Sequence, residues 1–214
     1  MKEFTVTMAL VDFIPVAFFA VASVILMRDL YNKMSKGAFA LLAAGTIDVA
    51  FAGVMKALYK LLYASGVCDF TVLSDMMFPV QSVGFLLAGI ALIAMLCHKQ
   101  KETTVAAAAA APAVFKGTFI FVGLMVTGFG MMNASMCVLS KKLKRPWLSV
   151  FFVYAFVSVL VMGYLSSKDF GSAGMNWIAQ GVNLLGQGAF LLGTILAHRF
   201  GLAKLRLHGE EESV

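Results

Sequence analysis

Long apolar runs separated by short polar connections dominate the chain. A helix needs about 20 apolar residues to cross the hydrocarbon core of a bilayer, and six segments reach that length. They cover roughly residues 6–27, 38–58, 73–96, 113–139, 147–165 and 176–197, the second extending helically to about residue 63. The connections RDLYNKMSKG, ASGVCDF, HKQKETT, SKKLKRP and SSKDFGSAG are short and carry turn or charge signals. The stretch TTVAAAAAAPAVF at 103–115 is apolar but short and interrupted by Pro112. It reads as an Ala-rich linker into the fourth helix, with a seventh span as the alternative. The expectation is an all-α polytopic membrane protein. It forms one transmembrane domain over 1–214, built as a six-helix bundle, with a mobile polar tail at 200–214.

Composition narrows the class further. Of 214 residues, 61% are hydrophobic and 13% charged, with a mean hydropathy of +0.89. A soluble domain of this size cannot hide so much apolar surface in one core. Soluble enzymes, nucleic-acid binders and disordered chains are excluded. The net charge of +6 does not point to nucleic acid, because helical membrane proteins collect Lys and Arg in cytoplasmic loops. The lipid bilayer is the expected environment, in an integral multi-pass protein of the plasma (inner) membrane. Lys2 and the run ending Ala20-Val21-Ala22 imitate a signal peptide. Asp12 within that run, and its continuation to Met27, favour a retained helix.

Charge bears on orientation. With six spans and the N-terminus inside, ten of the 17 Lys and Arg fall inside. With a seventh span and the N-terminus outside, the split becomes twelve to five. Charge favours seven spans and segment length favours six. Length carries more weight, because an unsupported short span fails physically.

The third and sixth segments align at an offset of 99 residues. Gln81 then meets Gln180, Val83 meets Val182, Leu86 meets Leu185, Gly89 meets Gly188 and Leu92 meets Leu191, with Phe78 opposite Trp177. This points to a 3+3 internal repeat with halves 6–99 and 113–199. Six spans would make the halves inverted, and a seventh linker span would make them parallel. The competing reading is chance similarity between two Gly- and Leu-rich helices.

Polar side chains within apolar segments need a partner or a wetted cavity, so they are the functional candidates. Asn176, Gln180, Asn183 and Gln187 share one face of the sixth helix, with Thr194 returning to it. Amides donate and accept at once, which suits uncharged or zwitterionic solutes. Interhelical bonding is the plainer use of a single amide. Gln81, Asn133 and Tyr154 complete the candidate solute-binding set, with Ser74, Thr127 and Ser158 as weaker polar neighbours. Asp48 lies mid-span, where burial penalises the charged form, and Asp12 lies one turn before Pro15. Both are candidates for proton coupling. A protonated Asp48 that merely bonds helices together is the rival reading. Lys56 and Lys60 read as snorkelling cations, and Asp75 as a first-turn cap.

Other residues carry plainer readings. Gly84-x-x-x-Ala88, Gly89, Gly123-x-x-x-Thr127, Gly186, Gly188 and Gly193 permit close helix packing. Met132 and Met136 are core fillers rather than a thioether copper site. Cys97 and Cys137 read as small core residues, and Cys68 as an exposed thiol. His98 and His198 sit at segment ends, most simply at the interface. No hydrolase, phosphate-loop or metal motif is present, so neither cofactor nor metal is expected, and no enzymatic activity. The reading is a small permease for a polar or zwitterionic solute, coupled to protons, with a second copy of the chain in a homo-oligomer among its expected partners. The alternatives are a non-transport subunit or sensor that binds partner proteins, and an intramembrane lipid-modifying enzyme.

Overall fold

The computed structural model describes residues 5–97, 118–166 and 173–207. It contains six helical stretches long and apolar enough to cross a membrane, and no strand among the described residues. The chain is an integral multi-pass membrane protein with an all-α bundle. The first span is α1 (Val6–Val11) followed by α2 (Phe13–Leu30). The second is α3 (Lys36–Ser65). The third is the short α4 (Val72–Asp75) followed by α5 (Met77–Cys97). Then come α6 (Thr118–Lys142), α7 (Ser149–Ser166) and α8 (Ala173–Arg199). The Ala-rich stretch at 103–115 lies outside the described residues, as do His98 and the tail from residue 208.

Both interrupted spans have the same cause. The breaks at Asp12 and Met76 each lie three residues before a proline, Pro15 and Pro79. Proline donates no bond to the carbonyl four residues earlier, and its ring crowds that turn. Elsewhere the ends are capped conventionally. Ser35 Oγ accepts from the Ala38 amide at 3.2 Å, and Gly66 ends α3 at φ 74°, a conformation that favours glycine.

The helices form a closed ring in chain order, α8 packing back on the first span. At its centre, Phe19, Phe85, Phe129, Phe152 and Phe190 are all at most 3% exposed. Their rings meet at centroid distances of 4.9–6.0 Å. Aromatic edges and faces stack favourably in this range. Large apolar side chains such as Val24, Ile47, Val150 and Leu185 point outward, as lipid-facing residues do.

The tightest packing joins α3, α5 and α6. A Cβ on Gly45 would come within 2.4 Å of the Gly84 carbonyl oxygen. One on Gly128 would come within 2.4 Å of the Leu86 nitrogen, and one on Gly89 within 2.6 Å of the Gly128 oxygen. These helices approach backbone to backbone, which only glycine allows. Gly186 and Gly193 pack against Ser158, Phe151 and Phe152 of α7, and Gly188 touches Phe18 at ordinary distance. Nothing among the described residues lies within 4 Å of the Cβ position of Gly123.

Hydrogen bonds fix which helix ends share a face. Lys33, after α2, donates to the Ala203 carbonyl at 2.7 Å, and Lys142, ending α6, donates to the Leu207 carbonyl at 3.1 Å. Arg145 and Trp147, before α7, stand beside the Phe200 ring. So α2, α6 and α8 end, and α7 starts, on one face. At the other face, Gln180 near the start of α8 bonds to Met8 and Asp12, and Lys60 near the end of α3 pairs with Asp12. Because α3 and α5 pair Gly45 with Gly84 and Lys56 with Phe78, they are antiparallel, and α5 also ends on the first face. Hence α5 and α6 are parallel, and Cys97 and Thr118 lie on opposite faces. The first face carries Arg28, Lys33, Lys36, Lys141, Lys142, Lys144, Arg145, Arg199, Lys204 and Arg206. Among the described residues, the other half holds Lys56 and Lys60 as its cations. The first is called the basic face below.

Residues 200–207 turn back under the bundle, with Leu202 fully buried and the Ala203 and Leu207 carbonyls bonded as above.

Candidate functional site

Charged and amide groups gather at both ends of the seam between the first span and α8. Toward the face opposite the basic one, the break before Pro15 presents Asp12 to two other helices. One carboxylate oxygen accepts from Lys60 Nζ at 2.5 Å, with both side chains 14% exposed. The other accepts from Gln180 Nε2 at 2.7 Å. The same Nε2 donates to the Met8 carbonyl at 2.6 Å. Two acceptors therefore claim the amide nitrogen and fix its orientation. Gln180 Oε1 is left facing away, buried and without a hydrogen-bond partner among the described residues. Gln180 itself is 5% exposed, so that acceptor is cut off from water.

At the basic face, the Asp29 side chain is 1% exposed. Its Oδ2 lies 2.8 Å from His198 Nδ1, and Arg28 Nε stands 3.5 Å from Oδ1, an ion-pair distance rather than a hydrogen bond. Arg28 Nη2 is 3.1 Å from one ring nitrogen of His198 and 3.3 Å from the other. Near-equal distances to both nitrogens place it over the ring face, a stacking arrangement that arginine's planar group favours. Between the two polar clusters lies the phenylalanine plug.

Of the residues singled out from the sequence, Asp12 and Gln180 are brought together. Gln187 and Asn133 flank the plug on opposite sides. Gln187 lies three residues before Phe190, with Oε1 buried and unpartnered among the described residues. Asn133 Nδ2 donates to the Phe129 carbonyl of its own helix at 2.8 Å, and its Oδ1 is likewise buried without a partner. Thr194 is spent on the Phe190 carbonyl at 2.8 Å. Gln81, Asn176 and Asn183 are half-buried. Tyr154 is 46% exposed and lines an outward groove of about 460 Å³ with Phe18, Val150, Leu184 and Leu185. It does not join the amides. Asp48 is half-buried where α3 passes Gly84, with no hydrogen-bond or ion-pair partner among the described residues.

Three participants escaped the sequence reading. Lys60, read as snorkelling, is the partner of Asp12. By the apolar pattern Asp29 falls in a connection, because the run stops at Met27, and His198 falls at a segment end. Matched depth was the available signal: Asp12 lies seven residues after Thr5, and Lys60 five before Ser65. Among the described residues, no group of His, Cys, Asp and Glu is arranged to hold a metal ion. Comparison with protein-family models, curated proteins and solved structures finds no match.

Proposed function

We propose that the protein is a small carrier for a zwitterionic or uncharged polar solute, recognised first at Asp12, Lys60 and Gln180. The observation that carries this reading is an ion pair and a pinned amide meeting at the helix break, beside a buried, unmatched acceptor. A zwitterion brings an ammonium for Asp12 and an anionic group for Lys60. It can replace their mutual pairing without leaving either charge bare, which in a low-dielectric site costs several kcal/mol. Gln180 Oε1 supplies a further acceptor, and Gln187 continues the amide face toward the plug.

Positive charge concentrates on the cytoplasmic side of membrane proteins, so the basic face is assigned there and the Asp12 cluster to the far side. The phenylalanine plug makes this the closed state of a two-state carrier. Proton coupling falls to Asp12, released when the pair opens, and to Asp48, an intramembrane carboxylate with no partner among the described residues. If the 3+3 repeat is genuine, its halves are parallel, since α5 and α8 run in the same direction.

The test is uptake of a radiolabelled mixture of zwitterionic amino acids into proteoliposomes. Wild-type protein is expected to exceed protein-free vesicles, and Asp12→Asn or Gln180→Leu to lose most of that uptake while remaining monodisperse. Asp48→Asn is expected to retain solute entry and lose its acceleration by an inward proton gradient. The filled centre favours a second reading, a partner-binding subunit or sensor in which both polar clusters only hold helices together. Wild-type uptake no greater than that of empty vesicles would select it.

A further inference from the structure

On the outer side of the bundle a groove of about 460 Å³ runs between α7 and α8, with Phe18 of α2 at its edge. Phe151 and Tyr154 line it from α7, and Leu185, Gly188 and Leu192 from α8. Gly188 makes room for it: a Cβ there would stand 3.6 Å from the Phe18 ring. The lining side chains are apolar apart from the Tyr154 phenol, and the volume lies in the range of sites that hold small ligands. Leu185 and Leu192 are 60% and 45% exposed, so the groove opens toward lipid.

The basic end of the groove has a different chemistry. Leu185, Leu192 and Arg199 are spaced by two helical turns, which carries the leucine stripe of α8 to an exposed arginine on the basic face. Just before α7, the Arg145 guanidinium stands 4.9 Å from the centre of the Phe200 ring. Trp147 joins the two parts. Its ring lies 6.1 Å from Phe151 in the groove wall and 5.9 Å from Phe200, the neighbour of Arg199 in the chain. Apolar groove, aromatic rings and two arginines thus follow one another along a single seam. Neither arginine has an ion-pair partner among the described residues. Stacking on a ring face leaves the edge N–H groups of Arg145 able to donate.

A ligand that matches this order has a long apolar part lying along the helices and an anionic head level with the basic face. The guanidinium fork fits a phosphate, and tryptophan suits headgroup depth. A zwitterionic lipid offers the same phosphate but brings an ammonium toward two arginines, which repel it. A lipid of net negative charge avoids that cost, and basic pockets between transmembrane helices hold such headgroups. A second copy of the chain in the same orientation would set its own basic face beside these arginines, so like charge disfavours it as the occupant.

We propose that the groove between α7 and α8 binds an anionic phospholipid of the leaflet at the basic face. Its acyl chain lies along Leu185, Gly188 and Leu192, and its phosphate meets Arg145 and Arg199. The site is separate from the Asp12 cluster and stands independently of the carrier reading.

The test is fluorescence quenching by brominated lipid. The two tryptophans, Trp147 and Trp177, are replaced by Phe, and Tyr154→Trp puts a single reporter in the groove. The protein is reconstituted in mixed vesicles of phosphatidylcholine and phosphatidylglycerol, with the acyl chains of one or the other brominated. At position 154, phosphatidylglycerol is expected to be held about fivefold more strongly than phosphatidylcholine. Arg145→Gln with Arg199→Gln is expected to bring that ratio to about one. Gly188→Leu, which fills the groove, is expected to reduce quenching by both lipids. A reporter placed by Ile90→Trp, on the outward side of α5 and also two turns from the basic end, is expected to show no preference. Equal quenching by the two lipids at position 154 would overturn the proposal, as would a preference that survives the arginine substitutions. No quenching by either lipid would mean that protein covers the groove, a second copy included, and would overturn it as well.

Discussion

The seam joining α3, α5 and α6 and the seam joining the first span to α8 use different physics. In the first, glycines bring backbone against backbone, and any side chain there meets main-chain atoms that cannot turn aside. In the second, spans meet through side chains, with Asp12–Gln180 at one end and Asp29–His198 at the other. Bundled helices gain no hydrophobic energy over lipid, so packing and polar contacts hold them together. Backbone packing has one good geometry. Charges and amides can change partners. On the proposed carrier reading, the glycine seam is the fixed body and the polar seam the one expected to open.

The largest effect is expected from attacking the fixed seam. Gly128→Val places side-chain atoms against the Phe85–Leu86 backbone and is expected to cost about 3 kcal/mol or more, read by SDS titration in mixed micelles. Gly181→Ala, with nothing within 4 Å among the described residues, is expected to be neutral or slightly stabilising. Next comes the plug. Phe190→Ala removes a ring touching Phe19, Phe129 and Phe152, and is expected to cost about 3 kcal/mol, chiefly through the cavity left behind.

The polar seam should respond more weakly and through coupling. Asp12→Asn is expected to cost about 2 kcal/mol, below the range for a fully buried pair, because Lys60 can reach toward the interface. A double-mutant cycle with Lys60→Met is expected to show a coupling of about 1–2 kcal/mol. A value near zero would remove Asp12–Lys60 as an energetic unit. The smallest effect is expected at the basic end. His198→Ala breaks one bond to Asp29 beside an exposed arginine and is expected to cost about 1 kcal/mol.

The spans were legible from residue order because the length of an apolar run is itself the physical requirement for crossing. Expected and observed ends differ by a few residues, as with 147–165 against Ser149–Ser166. The parallel course of α5 and α6 was not legible. It depends on Lys33 and Lys142 reaching the residues after α8, contacts between segments far apart in the chain. Asp12 and Gln180 were each flagged by polarity, but their meeting depends on how the first span and α8 rotate. Lys60 illustrates the limit well: a lysine near a span end looks the same in sequence whether it snorkels to water or reaches a carboxylate on another helix.

The most direct test of the division into fixed and opening seams is a pair of spin-label distances in a background with Cys68, Cys97 and Cys137 replaced by Ser or Ala. One pair of labels sits at Leu10 and Ile178, both outward-facing beside the Asp12 cluster. The other sits at Ile47 and Ile90, outward-facing on α3 and α5. On introducing Asp12→Asn, the distribution between 10 and 178 is expected to broaden and move to longer distance, while that between 47 and 90 stays unchanged. A 10–178 distance that does not respond, or a 47–90 distance that shifts as much, would contradict the account.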